Sequence, residues 1–291
     1  MYYDAHAHLQ LGRNCERKIE NFKSMVAKCL MAAVVCNSTC EDDFEVVGLL
    51  QAQFKEHIIP CYGVHPWYID RCKTGWLARL KIRLENDERA FIGEIGLDKK
   101  RNFGARQKEI FENQLKLVFN LCRPASVHCV KCHGTMFDIL KKYMPRPEKK
   151  GKAKKPSLLF HDWSGSPEMT RMFVKNFPNI YFSFSTPVSR KKLDGVPINR
   201  VLAETDDKDP TSISKAYEEL SLHFEKSKSE MICILQQNFV DCFDLPIISA
   251  ADDSVDVPEE VDKTQCISAK VFFLVTLACL SLKSLPSIIC S

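Results

Sequence analysis

Along the first 205 residues, short apolar runs alternate with stretches of helical periodicity, and this rhythm restricts the chain to a few folds. An opening strand, YYDAHAHL, is followed by 16–30, where Ile19, Phe22, Val26 and Leu30 recur every three or four residues as on one helix face. A buried strand is expected over 31–38. Thr39 and Asp42 then resemble the cap-and-acid start of a helix over 41–55, with Phe44, Val47 and Leu50 or Gln51 as its apolar stripe. The same reading places strands at 58–64, 90–97, 125–129, 157–161, 180–185 and 201–205. It places helices at 76–84, 105–121, 134–143 and 169–177, with two more at 212–225 and 229–243. Eight strands joined by right-handed crossovers predict an α/β fold, a closed (β/α)8 TIM barrel. An open doubly wound sheet is the alternative, weakened because no G-x-G-x-x-G follows the first strand.

Two segments break the rhythm. Residues 144–156 carry six Lys or Arg against one Glu, with three prolines and a glycine, so a solvated loop is expected there, either solubilising or an electrostatic contact for a polyphosphate. The barrel is expected to fill 1–245, leaving 246–291 as a C-terminal extension, an acidic linker at 250–263 followed by an apolar tail. The apolar run 271–282 has twelve residues, fewer than the roughly 20 a membrane-spanning helix needs. It reads as an appendage or interfacial segment, and no firm membrane or protein partner is expected. The 41 Lys and Arg against 37 acidic residues neither demand nor exclude nucleic acid. Fourteen cysteines scattered through apolar segments, with no signal peptide before Asp4, suggest reduced thiols in the cytosol or nucleus.

In a parallel barrel the C-terminal strand ends converge on one face, where such folds carry their chemistry. Six of the eight expected strands deliver a metal-capable side chain there: His6 and His8, His65 in GVHP, Glu94 in GEIGLD, His128, His161 and Asp206. Barrel closure would set His6 and His8 beside Asp206, while His128 and His161 come from neighbouring strands and Glu94 lies between the groups. Two divalent ions about 3.5–4 Å apart, bridged by Glu94, would suit displacement at a phosphoester, with Asp206 receiving or orienting a proton from water. Asp4, two residues before His6 on the same face but deeper in the barrel, is expected as a supporting or structural acid that orients the histidines and not as a ligand. Trp67 and Trp163 at the rim are candidates for stacking on bases, and the turn with Ser164 for donating backbone N–H groups to phosphate, against the plainer readings of packing and a helix cap. Cys129, Cys132 and His133 spell a haem-attachment pattern, which is set aside because Cys129 follows a candidate ligand inside a strand. Cys36 and Cys40 read as core or helix-start residues.

The ordered set DxHxH, GVHP, GEIGLD, QxxxFxxQLxLxxxLxxPxxxH, HxxSGS, FSFS and ETD resembles the TatD family of metal-dependent deoxyribonucleases over about 1–245. Gln107, Phe111, Gln114, Leu115, Leu121, Pro124 and His128 match the approach to the fifth strand, and Asn238 with Phe243 resembles the closing helix. The resemblance implies a TIM barrel, two divalent ions (Mg²⁺, Mn²⁺ or Zn²⁺) and hydrolysis of DNA phosphodiesters, often exonucleolytic. It implies one ion on His6, His8, Glu94 and Asp206, another on Glu94, His128 and His161, and a substrate-facing His65. The chain departs from the pattern at Trp67, where the family usually has histidine, at Val130, where it usually has arginine, and in the longer ETDDKDP. The expected activity is a metal-dependent DNA phosphodiesterase acting on ends or single strands. One alternative is an amidohydrolase-type C–N or ester hydrolase; that class often bridges its metals with a strand-four lysine, whereas Glu94 stands here and no lysine follows until Lys99. Another is a weakened homologue that mainly binds.

Overall fold

Parallel pairing runs in strict chain order through the computed structural model, which describes residues 1–101, 103–144 and 156–245. The strands are β1 (Tyr2–Ala7), β2 (Met31–Asn37), β3 (Ile58–Tyr62), β4 (Phe91–Asp98), β5 (Ala125–Val130), β6 (Leu158–Phe160), β7 (Ile180–Phe184) and β8 (Val201–Ala203). The two edges of the sheet meet just past β1 and β8. Ala7 and Asp206 form a parallel bridge, the His8 N–H donates to the Asp206 carbonyl at 3.0 Å, and the Asp206 N–H donates to the His6 carbonyl at 2.9 Å. That seam excludes the open-sheet alternative. Around the strands lie α1 (Cys15–Ala27), α2 (Phe44–Gln53), α3 (Trp76–Asn86), α4 (Ala105–Leu121), α5 (His133–Tyr143), α6 (Pro167–Asn176), α7 (Arg190–Leu193), α8 (Ile213–His223) and α9 (Lys228–Phe243).

One buried cluster gathers Ala5, Ala33, Val35, Ile59, Cys61, Phe91, Leu159, Tyr181 and Leu202. Side chains from seven strands around a ring can meet only inside it, so these residues fill the barrel. Phe239 and Phe243 of α9 belong to the same cluster, with the Phe243 ring stacked on Phe91 at 5.1 Å, so α9 plugs the end opposite the strand C-termini. Asn238 secures this plug by donating to the carbonyls of Ile198 and Val201, both at 2.8 Å.

The structure shifts some expected boundaries. α1 ends at Ala27 although its periodicity runs on to Leu30, because Cys29 takes the left-handed conformation (φ 54°) and the Leu30 N–H turns back to the Met25 carbonyl. The acid that starts the second helical segment is Asp43, one residue beyond the expected Asp42. Its carboxylate accepts from the Thr39 and Cys40 N–H groups at 2.9 and 3.2 Å. Among the described residues no helix is long and apolar enough to cross a membrane. The basic stretch 145–155 and the extension 246–291 lie outside the described residues.

Candidate metal centre

Glu94 stands at the middle of the mouth, and its placement begins with glycine. β4 runs so close to β5 that a Cβ at Gly96 would fall 2.0 Å from the His128 carbonyl oxygen, and one at Gly93 would fall 2.9 Å from that of Ser126. Only residues without a side chain permit that approach. It brings the Glu94 carboxylate, 2 % exposed, among imidazoles from four other strands. Its two oxygens face different groups. Oε2 lies 3.0 Å from His8 Nε2 and 3.4 Å from His6 Nε2. Oε1 lies 2.7 Å from His161 Nε2, 2.9 Å from His128 Nδ1 and 3.1 Å from His65 Nε2. Asp206 closes the first group, its Oδ1 3.8 Å from His6 Nε2 and 3.7 Å from His8 Nε2. Asp206 adopts φ 54°, a region that aspartate tolerates better than most residues, so one residue both closes the barrel and turns its carboxylate inward.

On His8, His128 and His65 the far nitrogen shows which near nitrogen is available, whereas the Ser126 hydroxyl beside His6 can donate or accept and His161 Nδ1 has no hydrogen-bond partner among the described residues. His8 Nδ1 lies 2.8 Å from the Asn37 carbonyl, which can only accept, so Nδ1 carries a proton and Nε2 is the atom left for a ligand role. His128 Nε2 faces the Asp98 carboxylate at 3.2 Å, which leaves Nδ1 toward the centre. His6 Nδ1 pairs with the Ser126 hydroxyl at 2.7 Å. His65 is different. Its Nδ1 accepts the Trp67 backbone N–H at 3.1 Å, so the neutral ring carries its proton on Nε2 and offers the centre a donor in place of a lone pair. His65 is thus close enough to group with Glu94 and His128, but its tautomer separates it from them.

The electrostatics divide the imidazoles around one carboxylate. Burial alone would raise the Glu94 pKa, yet His161, His65 and His128 outweigh burial and hold the carboxyl well below its ordinary value. Burial would lower His161 and His8, but Glu94 overrides it and raises them to about 10 and about 9. His6, fully buried and stacked 4.0 Å from the His161 ring, drops to about 3 through burial and the neighbouring charge. The donor set also has the spacing of a coordination shell. Two nitrogens about 2.0–2.1 Å from one ion at a tetrahedral angle would lie roughly 3.3 Å apart. The near nitrogens are 3.2 Å apart in the His6–His8 pair and 3.1 Å apart in the His128–His161 pair. The residues therefore fit a divalent ion on each side of Glu94.

Three acids around this centre have distinct supporting places. Asp4 stands as a structural acid that meets His6 through its backbone. It accepts from the Thr205 N–H at 3.0 Å and hydroxyl at 2.5 Å and from the His6 N–H at 3.3 Å, so it locks the β1–β8 seam beside Asp206. Glu204 accepts from Ser183 and from the Asp162 N–H, and its Oε1 lies 4.0 Å from His161 Nδ1. Asp98 binds both His128 and Trp67. The period-two face Glu94, Gly96, Asp98 was the available sequence signal for Asp98, and the position before Asp206 in ETD the signal for Glu204.

Of the two rim tryptophans, only Trp67 reaches the surface, 43 % exposed, beside His65. Trp163 corrects the sequence reading. At 1 % exposure it packs among Phe160, Phe173 and Phe182 and donates its N–H to Thr170 at 2.8 Å, leaving no face for a base. Ser164 is exposed in the loop after β6, but Ser166 caps α6, accepting from the Met169 N–H. Cys129 and Cys132 are buried, their sulfurs 3.8 Å apart, as core residues in place of a haem attachment.

A family model described as TatD related DNase matches residues 3–244. The human 3'-5' RNA nuclease TATDN2 is 27% identical over 169 residues, which make up 54% of this chain and 21% of that protein, so the chain spans about a fifth of that relative's length. An uncharacterized metal-dependent hydrolase of Haemophilus influenzae is 27% identical over 227 residues, 72% of this chain and 81% of that one. Among solved structures, a TatD homologue from Escherichia coli K12 superposes with a TM-score of 0.71 at 20% identity, covering 84% of this chain and 98% of that chain.

Proposed function

The chain belongs to the TatD related DNase family, and from that membership we propose that it is a metal-dependent nuclease hydrolysing phosphodiester bonds at the ends of single-stranded nucleic acid. The observation that carries this reading is the division of Glu94, with one oxygen toward His6 and His8 and the other toward His128 and His161. His6, His8, Glu94 and Asp206 would hold one divalent ion, and Glu94, His128 and His161 a second. Two such ions activate water near neutral pH and neutralise the charge that builds on the phosphate oxygens.

The remaining work falls to the chain's own groups. Asp206 is 27 % exposed where Glu94 is 2 %, so it is the site carboxylate that reaches solvent, placed to orient the attacking water and accept its proton. His65, with its proton on Nε2, donates a hydrogen bond to a phosphate oxygen. Trp67 offers an exposed indole on which a terminal base can stack, a mode indifferent to sequence. Ser164 supplies a further polar contact at the mouth. The family description names DNA and the human relative's name RNA, so both polymers are candidate substrates, and stacking and phosphate contacts of this kind do not depend on the sugar. A glutamate in place of a strand-four lysine favours the nuclease over an amidohydrolase, and the intact donor set argues against a homologue that only binds.

The test is direct. Protein stripped of metal and resupplied with Mg²⁺, Mn²⁺ or Zn²⁺ should release nucleotides from end-labelled single-stranded DNA and RNA, and chelator should stop it. Binding of the labelled strands with no cleavage under any of the three ions would overturn the reading.

A further inference from the structure

We infer that Asp98 is a positioning residue that sets which nitrogen His128 presents to the metal centre and, through the same oxygen, holds the Trp67 indole at the mouth. This rests on the metal-dependent reading above and extends it to the coupling between the metal centre and the base shelf. Asp98 ends β4 on the face that carries Glu94 and is 1 % exposed. Its Oδ2 accepts from Trp67 Nε1 at 2.6 Å and from His128 Nε2 at 3.2 Å. Its Oδ1 accepts from the Lys100 N–H at 2.7 Å. The buried Gln107 side chain grips the backbone on both sides, accepting from the Asp98 N–H at 2.9 Å and donating to the Asp98 carbonyl at 3.2 Å. The carboxylate therefore has little freedom to rotate, and each of its oxygens has a defined task.

For His128, an acceptor-only partner at Nε2 leaves Nδ1 as the lone pair facing Glu94 Oε1. Outer carboxylates of this kind fix a ligating ring and typically change metal affinity 10–100-fold when removed. For Trp67, the bond at Nε1 fixes the turn of an indole whose other anchor is the Arg101 guanidinium, 4.3 Å from the ring centroid. The arrangement makes Asp98 a shared support. Its loss should weaken metal binding and base binding together, whereas loss of the indole N–H alone should affect only the base.

The experiment compares full-length wild-type, Asp98→Asn, Trp67→Phe and the double variant by Zn²⁺ titration against a chelator, by ¹⁵N-histidine spectra of the Zn²⁺-loaded proteins, and by KM for a single-stranded oligonucleotide. In Asp98→Asn the new side chain would offer one oxygen and one N–H₂ group where three donors now converge. Asp98→Asn should lose 10–100-fold in Zn²⁺ affinity, speed solvent exchange of the His128 Nε2 proton and raise KM. Trp67→Phe should raise KM with Zn²⁺ affinity unchanged, and the double variant should show no further rise in KM over Asp98→Asn. Zn²⁺ affinity within twofold of wild type in Asp98→Asn, with an unchanged His128 signal, would overturn the inference alone. Should Asp98→Asn not fold, the wild-type spectrum decides: Zn²⁺ on His128 Nε2 with the proton on Nδ1 overturns it, and the reverse supports it. A wild-type protein that takes up no Zn²⁺ overturns the functional reading and this inference with it.

Discussion

Replacing Glu94 with glutamine probes the centre at its most connected point. The exchange is nearly isosteric but removes the negative charge and turns one oxygen into an N–H₂ group. Five imidazole nitrogens lie between 2.7 and 3.4 Å from the two carboxylate oxygens, and the group is 2 % exposed, so solvent screens little of the change. Glutamine can keep an acceptor toward only one side, and the other side meets donors. Losing about two charge-assisted contacts, at about 1.5–3 kcal/mol each, removes about 3–6 kcal/mol. At 1.36 kcal/mol per decade that is about 10²–10⁴ in affinity for an ion on the affected side. Glu94→Gln should therefore bind one ion where the wild type binds two, and turnover should fall at least about 10³-fold if both ions are needed. The barrel should remain, since His8 and His161 can release their protons once the carboxylate charge is gone and the apolar barrel interior is untouched. Calorimetric titration gives the stoichiometry, end-labelled cleavage the rate and circular dichroism the fold. Two ions bound at wild-type affinity, or turnover within tenfold of wild type, would refute the bridging role.

Trp67→Ala should raise KM for a single-stranded oligonucleotide about 5–150-fold with kcat largely kept, the equivalent of about 1–3 kcal/mol of stacking; an unchanged KM would remove Trp67 from substrate binding. Trp163→Ala should instead destabilise the protein by about 3–5 kcal/mol, as expected for emptying an aromatic core position. Its Tm should fall by about 6–20 °C at about 2–4 °C per kcal/mol for a domain of this size; an unaltered Tm would contradict its burial. The metal-free protein should show a signed pH dependence. His8 and His161 have folded values raised to about 9 and about 10, so their stabilisation is complete below the unfolded value of about 6.5 and is lost as pH rises through 9–10. His6, lowered to about 3, works the other way and withdraws stability as pH falls below about 6.5. Asp4 and Glu204, raised to about 7 and about 8 by burial, also withdraw stability as pH rises, so the part that belongs to His8 and His161 is read by ¹⁵N-histidine titration without metal: both rings should still carry their second proton at pH 8, and neutral rings there would refute the charge assignments. Bound metal should replace the protons on His8 and His161, so Zn²⁺ affinity should climb between pH 6 and 8, which competition titration can follow.

The features that were legible in sequence are those governed by period and position. β-strand ends must converge in a parallel barrel, so His6, His8, Glu94, His128, His161 and Asp206 could be assembled before any coordinates. α4 was legible to both of its boundaries because Phe111, Leu115 and Val118 keep an unbroken stripe up to Cys122, which turns left-handed at φ 51°. Long-range pairing was not legible. Nothing local ties Asp4 to Thr205 across 201 residues, and only barrel closure makes that pair. Trp163 looked like a rim residue because it follows His161, but the chain turns at Asp162 (φ 36°) and drops the indole into the Phe160, Phe173 and Phe182 cluster. The His65 tautomer depends on a single backbone N–H from Trp67, a detail of loop geometry that residue type alone cannot carry.

A centre of two ions divided by the oxygens of Glu94 would be visible in anomalous diffraction from crystals loaded with Mn²⁺. Two peaks are predicted, one bounded by His6, His8 and Asp206 and the other by His128 and His161, with Glu94 between them and His65 outside both. A single peak, or His65 Nε2 bound to either ion, would contradict a centre divided by Glu94.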